Sequence, residues 1–165
     1  NLLERGDEAM VCVNGVFGNR MSDIVERCGA RLIRVDAPWG RPIDPDDVKK
    51  ALATCRPKLV AIVQAETSTG VLQPLEEIGR LARDAGARVS VDLASAAPLL
   101  ARGRPAAQRL VRGIAPDLLF TNAAEAAAFL GAADLEDLLA FAPVAVVKLG
   151  GGGATVELSR SPRFR

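Results

Sequence analysis

The residues best equipped for chemistry lie where apolar runs give way to polar turns. Val11-Cys12-Val13-Asn14-Gly15-Val16-Phe17-Gly18-Asn19-Arg20 reads as a strand, a Gly-containing turn and a helix start. Such an end can take an anion or a flat ring, or can be a plain tight turn in which Phe17 packs; it lacks the spacing of a dinucleotide fingerprint. Ala65-Glu66-Thr67-Ser68-Thr69-Gly70 follows a strand apolar through Val63. It sets three hydroxyls at a carboxyl end, where open α/β sheets bind ligands, though turn hydrogen bonds would use the same hydroxyls. Asp92 ends the apolar run Val89-Ser90-Val91, and a carboxylate there calls for a partner. Asn122 and Glu125 have the spacing of a capping box opening an Ala-rich helix before Gly131. Gly150-Gly151-Gly152-Gly153 lacks the Lys-Ser/Thr ending of a P-loop and leads into a strand, so it reads as a turn.

The whole composition narrows what these residues can do. His is absent, which excludes Ser-His and Cys-His nucleophile pairs and the commonest metal ligand. Cys12, Cys28 and Cys55 are odd in number and far apart, fitting neither a disulfide framework nor zinc spacing and pointing to a reduced, cytoplasmic compartment. Lys plus Arg number 21 against 20 Asp plus Glu, so no positive footprint for nucleic acid is expected. No apolar run approaches the roughly 20 residues of a membrane span. At 165 residues, 49% hydrophobic and 25% charged, the chain suits one ordinary core or two fragments leaning on each other. It starts at Asn1 in what reads as the body of a fold, as a gene fragment would.

The elements that must position these residues alternate between short apolar runs and amphipathic stretches. That pattern predicts an α/β protein, a mostly parallel sheet with helices on both faces, fragmentary or chimeric. Strands are expected at Ala9 to Val13, Arg31 to Val35, Leu59 to Gln64, Arg88 to Leu93, Leu118 to Thr121, Val144 to Lys148 and Ala154 to Leu158. Asp44-Pro45-Asp46-Asp47 supplies an N-cap, a first-turn Pro and helix-start acids for a helix to about Ala53. A second helix starts near Pro74 and stops at Gly86. Residues 98–113 read as a broken pair of helices or a loop and a helix, because Pro105 interrupts them.

Val13-Asn14-Gly15-Val16-Phe17-Gly18-Asn19-Arg20 and Glu66-Thr67-Ser68-Thr69-Gly70-Val71-Leu72-Gln73-Pro74-Leu75 resemble class V aminotransferases of the serine-pyruvate and alanine-glyoxylate type over about residues 1–92. The resemblance implies pyridoxal 5'-phosphate as cofactor, with amino acids and 2-oxo acids as substrates and a homodimer as the parent assembly. Phe17 would stack on the pyridine ring, Thr67 would lie near the ring oxygen, and Asp92 would keep the ring nitrogen protonated. The sequence departs from the family where a Ser-x-x-Gln-Lys type segment should bring the Schiff-base Lys. Here Asp117-Leu118-Leu119-Phe120 leads instead to Thr121-Asn122-Ala123-Ala124-Glu125. Of Lys49, Lys50, Lys58 and Lys148, only Lys148 ends a strand at a plausible face. The family's phosphate loop would precede Asn1.

From about residue 87, Val89-Ser90-Val91-Asp92-Leu93-Ala94-Ser95, Ala115-Pro116-Asp117-Leu118-Leu119-Phe120 and Asn122-Ala123-Ala124-Glu125 look like a PfkB-type, ribokinase-like sugar or nucleoside kinase. That resemblance implies Mg-ATP, with Asn122 and Glu125 organising magnesium and phosphate and Gly150 to Gly153 near the nucleotide. The Gly-Ala-Gly-Asp segment bearing such a kinase's catalytic base would follow Arg165. The combined expectation is an aminotransferase large-domain fragment over 1–88, a kinase-like fragment over 89–158 and a frayed tail over 159–165. Neither part is expected to carry a complete active site, and self-association through mismatched apolar faces is expected. A remnant that binds nothing specific is the non-enzymatic alternative.

Overall fold

A run of buried residues unbroken from Ala9 to Val13 forms the centre of the first sheet. In the computed structural model, which describes residues 3–94, 97, 100–131 and 134–159, this strand is β1 (Glu8–Val13). It pairs in parallel with β2 (Arg31–Asp36) on one side and β3 (Leu59–Ala61) on the other, giving the order β2-β1-β3. Because successive side chains point to opposite faces, Met10 and Cys12 join one core and Ala9, Val11 and Val13 another. α1 (Val16–Arg27) brings Val25 to the second of these. α2 (Pro45–Thr54) and α3 (Leu75–Asp84) bring Val48, Leu52 and Ile78 to the first. A strand buried on both faces must read as a continuous apolar run, as β1 does.

Helix boundaries follow the local chemistry. Asp44 caps α2 by accepting from Asp46 N–H at 2.9 Å, with Pro45 in the first turn. α3 ends at Asp84, and Gly86, in the left-handed conformation at φ 85°, breaks it off. The expected strand from Leu59 to Gln64 stops at Ala61. The chain then makes a short antiparallel pair, β4 (Ala65–Glu66) with β5 (Val71–Leu72), whose turn is closed by Thr69 and Gly70 N–H donating to the Glu66 carbonyl.

The chain divides into two compact units, 1–88 and 89–165. The second contains β6 (Ser90–Asp92), α4 (Arg104–Ile114), β7 (Leu118–Asn122), α5 (Ala123–Leu130), β8 (Val144–Lys148) and β9 (Ala154–Leu158). Its sheet has the order β6-β7-β8-β9, parallel except for β9. Leu119, Ala145 and Val147 share one core with Val111 of α4 and Phe129 of α5. The interrupted stretch around Pro105 resolves into α4, with Pro105 in its first turn, where its missing N–H costs no helical bond. Pro98 and residues 160–165 of the expected tail lie outside the described residues. Among the described residues no helix is long and apolar enough to cross a membrane.

Candidate functional site

At the carboxyl end of β1 the chain turns through Asn14 and Gly15 into α1. Asn14 is buried and its amide donates to the Arg41 carbonyl at 2.9 Å, tying this end to the loop after β2. The first N–H groups of a helix have no partner within it, and here the β4–β5 hairpin supplies two. Val16 N–H donates to Ser68 Oγ at 3.0 Å and Gly18 N–H donates to Glu66 Oε2 at 3.2 Å. Ser68 Oγ in turn donates to Glu66 Oε1 at 2.5 Å. The Glu66 side chain is 0% exposed, so its charge is carried by these bonds and by the positive end of α1. The anion that this turn can hold is therefore the protein's own carboxylate.

Two glycines make the arrangement possible. A Cβ on Gly15 would lie 2.5 Å from Glu66 Cδ and 2.6 Å from Ser68 Oγ, inside any allowed contact. A Cβ on Gly18 would lie 2.9 Å from Val13 Cα, so Gly18 lets α1 close onto β1. Phe17, between them, is 43% exposed and belongs to none of the core clusters. The alternative in which Phe17 packs inside is not what the fold does with it. Of the loop's hydroxyls, Ser68 serves the cap and Thr69 Oγ1 donates to the Glu66 carbonyl at 3.3 Å. The Thr67 hydroxyl is exposed and takes no partner among the described residues.

In the second unit Asp92, Asn122 and Lys148 end three neighbouring parallel strands. The Asp92 side chain is 45% exposed. It accepts from Lys148 Nζ at 2.7 and 3.1 Å and from Ala94 N–H at 3.0 Å, so the partner it calls for is Lys148. The capping box forms in full: Asn122 Oδ1 accepts from Glu125 N–H and Glu125 Oε2 from Asn122 N–H, both at 2.9 Å. Gly150 and Gly153 bound an exposed 3-10 turn between β8 and β9. Among the described residues no cluster of His, Cys, Asp and Glu could hold a metal ion.

Burial pushes the Cys12 thiol up to about 12, and Cys55 is also raised, first by burial and then by Glu8. Cys12 is thus a packing residue of β1 rather than a nucleophile.

A parallel sheet flanked by helices, with Phe17 exposed just past the carboxyl end of β1, defines an α/β fold. The family described as Aminotransferase class-V matches residues 1–101, and the chain belongs to it. The (S)-ureidoglycine--glyoxylate transaminase of Bacillus subtilis is 36% identical over 92 residues, 56% of this chain and 22% of that protein. The alanine--glyoxylate aminotransferase of Felis catus is 43% identical over 81 residues, 49% of this chain and 20% of that protein. Among solved structures, the alanine--glyoxylate aminotransferase from Nostoc sp. is similar with a TM-score of 0.53 and 28% identity, over 96% of this chain and 35% of that one. The chain thus spans about a fifth of the length of these two curated relatives.

Glu66 is the residue that sequence reasoning passed over. It stands inside a quoted motif, but a carboxylate beside three hydroxyls reads as part of a wet turn. The available signal was the Gly15 and Gly18 pair at a strand–helix junction, which announces a close approach from elsewhere in the chain.

Proposed function

We propose that residues 1–88 are the part of a class V aminotransferase large domain that holds the ring of pyridoxal 5'-phosphate, and that this chain alone does not transfer amino groups. The observation that carries the reading is Phe17. A large aromatic is held in solvent at the carboxyl end of a parallel sheet by a turn with its own buried carboxylate cap. An exposed aromatic and an exposed hydroxyl, on segments that Glu66 and Ser68 tie together, suit a flat heteroaromatic ring carrying a phenolic oxygen. Phe17 would stack on it and Thr67 would donate to that oxygen. When bound, the cofactor supplies an electron sink for amino-acid carbanions. The lysines support the expectation of no turnover: Lys49 is exposed on α2, Lys50 and Lys58 are paired at the surface with Asp47 and Asp7, and Lys148 is paired with Asp92. The amino-acid and 2-oxo-acid substrates are those of the family.

Titrating the full chain with pyridoxal 5'-phosphate and following its absorption tests the reading. Saturable binding that weakens about tenfold in Phe17→Ala, the scale of a lost stacking contact plus its buried area, is expected. Equal binding by wild type and Phe17→Ala would overturn the assignment. Asp92→Ala reads out the remaining expected contact: it weakens binding if Asp92 serves the ring nitrogen, and leaves it unchanged if the carboxylate serves Lys148 alone.

A second reading, for the second unit, is kinase ancestry with Mg-ATP as ligand. It is favoured by Asp92, Asn122 and Lys148 standing together at the carboxyl ends of β6, β7 and β8, the end at which open parallel sheets bind ligands. Protection of the Gly150–Gly153 turn from hydrogen exchange by Mg-ATP would support it, and unchanged exchange would remove it.

A further inference from the structure

We infer that Glu66 is a positioning residue: its buried carboxylate clamps the α1 turn to the β4–β5 loop and so fixes the ring of Phe17 relative to the hydroxyl of Thr67. The inference rests on the cofactor reading of those two residues. The Glu66 carboxyl is bonded to Gly18 N–H and the Ser68 hydroxyl, not to the side chain of Phe17 or Thr67, among the described residues. It acts through the residues on either side of them, accepting from Gly18 N–H and, by way of the Ser68 hydroxyl, holding Val16 N–H. Phe17 lies between Val16 and Gly18, and Thr67 lies between Glu66 and Ser68. One carboxylate therefore brackets both residues in the chain, and the backbone that carries their side chains cannot shift at either without stretching a bond in this network.

A fully buried carboxylate is costly unless bonded, and local folding alone gives this one no reason to point inward. The missing Cβ at Gly15 provides its space. The loop backbone is bound to the same residue, since Thr69 and Gly70 N–H both donate to the Glu66 carbonyl, at 3.0 and 2.8 Å. The side chain and main chain of a single residue thus organise the loop and the helix start together. A solvated polar turn would leave Phe17 and Thr67 free to move independently, and a flat ligand would have to order both on binding.

The test uses the full 165-residue chain as wild type, Glu66→Ala and Glu66→Gln. The Gln amide can still accept from Gly18 N–H through its oxygen and donate to Ser68 Oγ through its nitrogen, so it is the conservative variant. Hydrogen exchange is read by mass spectrometry on the ligand-free proteins, and pyridoxal 5'-phosphate affinity by absorption. In Glu66→Ala, exchange in segments 14–20 and 66–70 should rise about tenfold or more while segment 8–13 keeps its protection, and cofactor affinity should fall by about tenfold. Glu66→Gln should return both to within about threefold of wild type. Unchanged exchange in Glu66→Ala would overturn the clamp. So would loss of protection across β1 and α1 together, which is what a merely structural role predicts. Faster exchange with undiminished affinity would overturn the positioning role. If wild type takes no cofactor, the reading of Phe17 and Thr67 falls with it, and the exchange comparison still decides whether Glu66 clamps the two segments.

Discussion

Gly15 has an extended backbone at φ −178°, a conformation open to any residue, so the case for glycine there is purely one of space. Gly15→Ala must displace Glu66 or Ser68, and a packed interior resists such overpacking by about 1–3 kcal/mol. The expected result is a thermal midpoint lower by roughly 2–12 °C for a chain of this size, read by circular dichroism. Cys12 yields a pH dependence with a definite sign. Its folded value of about 12 lies above the ordinary 9.0, so the native state keeps a proton that the unfolded state gives up. Stability from this thiol is complete below about pH 9 and is lost as pH rises toward 12. Midpoints measured from pH 8 to 11 should fall in wild type and fall less in Cys12→Ala; parallel curves would contradict the assignment. Asp92 shows where residue-level expectation goes astray. Its type and place in the strand were legible, but not its exposure or its partner, since Lys148 is 56 positions away and meets it only through the register of β6, β7 and β8.

Elements were more legible than contacts. β1 announced itself because burial on both faces demands an unbroken apolar run, and α2 because Asp44 and Pro45 are local instructions. β3 ended early for a reason the run Leu59 to Gln64 does not contain. Gln64 O accepts from Gln73 N–H at 2.9 Å, so the chain commits to the β4–β5 hairpin rather than to the sheet. The Asn122–Glu125 pair was legible as a cap and equally as a metal-organising pair, and the structure shows the cap formed. Its two uses separate experimentally. Asn122→Ala should cost about 1 kcal/mol, and Asn122→Ser, which preserves an N-cap oxygen, only a few tenths. A chemical-denaturation series that found the two variants equally destabilised would show that the cap is not what Asn122 contributes.

At the scale of the whole molecule, each unit carries its own core: Met10, Val11, Val48 and Ile78 in clusters of the first, Leu119, Phe129 and Val147 in that of the second. Leu119 is fully buried, and Leu119→Ala should cost about 2–5 kcal/mol. That loss should appear as faster exchange within 89–159 while 3–88 keeps its protection; uniform loss would show the two cores to be one cooperative body. Membership of the aminotransferase family rests on residues 1–101, a match that runs past residue 88 into the stretch, 89–158, for which kinase ancestry is the second proposal. The most direct test of the central claim, that the first unit presents a cofactor-ring site, is a thermal melt with and without excess pyridoxal 5'-phosphate, followed by circular dichroism. A ligand bound only by the folded form raises stability by about 2.7 kcal/mol at one hundred times its Kd. The account predicts a midpoint that rises with cofactor in wild type and rises only about half as far in Phe17→Ala, for which the same concentration is about ten times Kd. An unmoved midpoint in wild type, or the same rise in both, would contradict it.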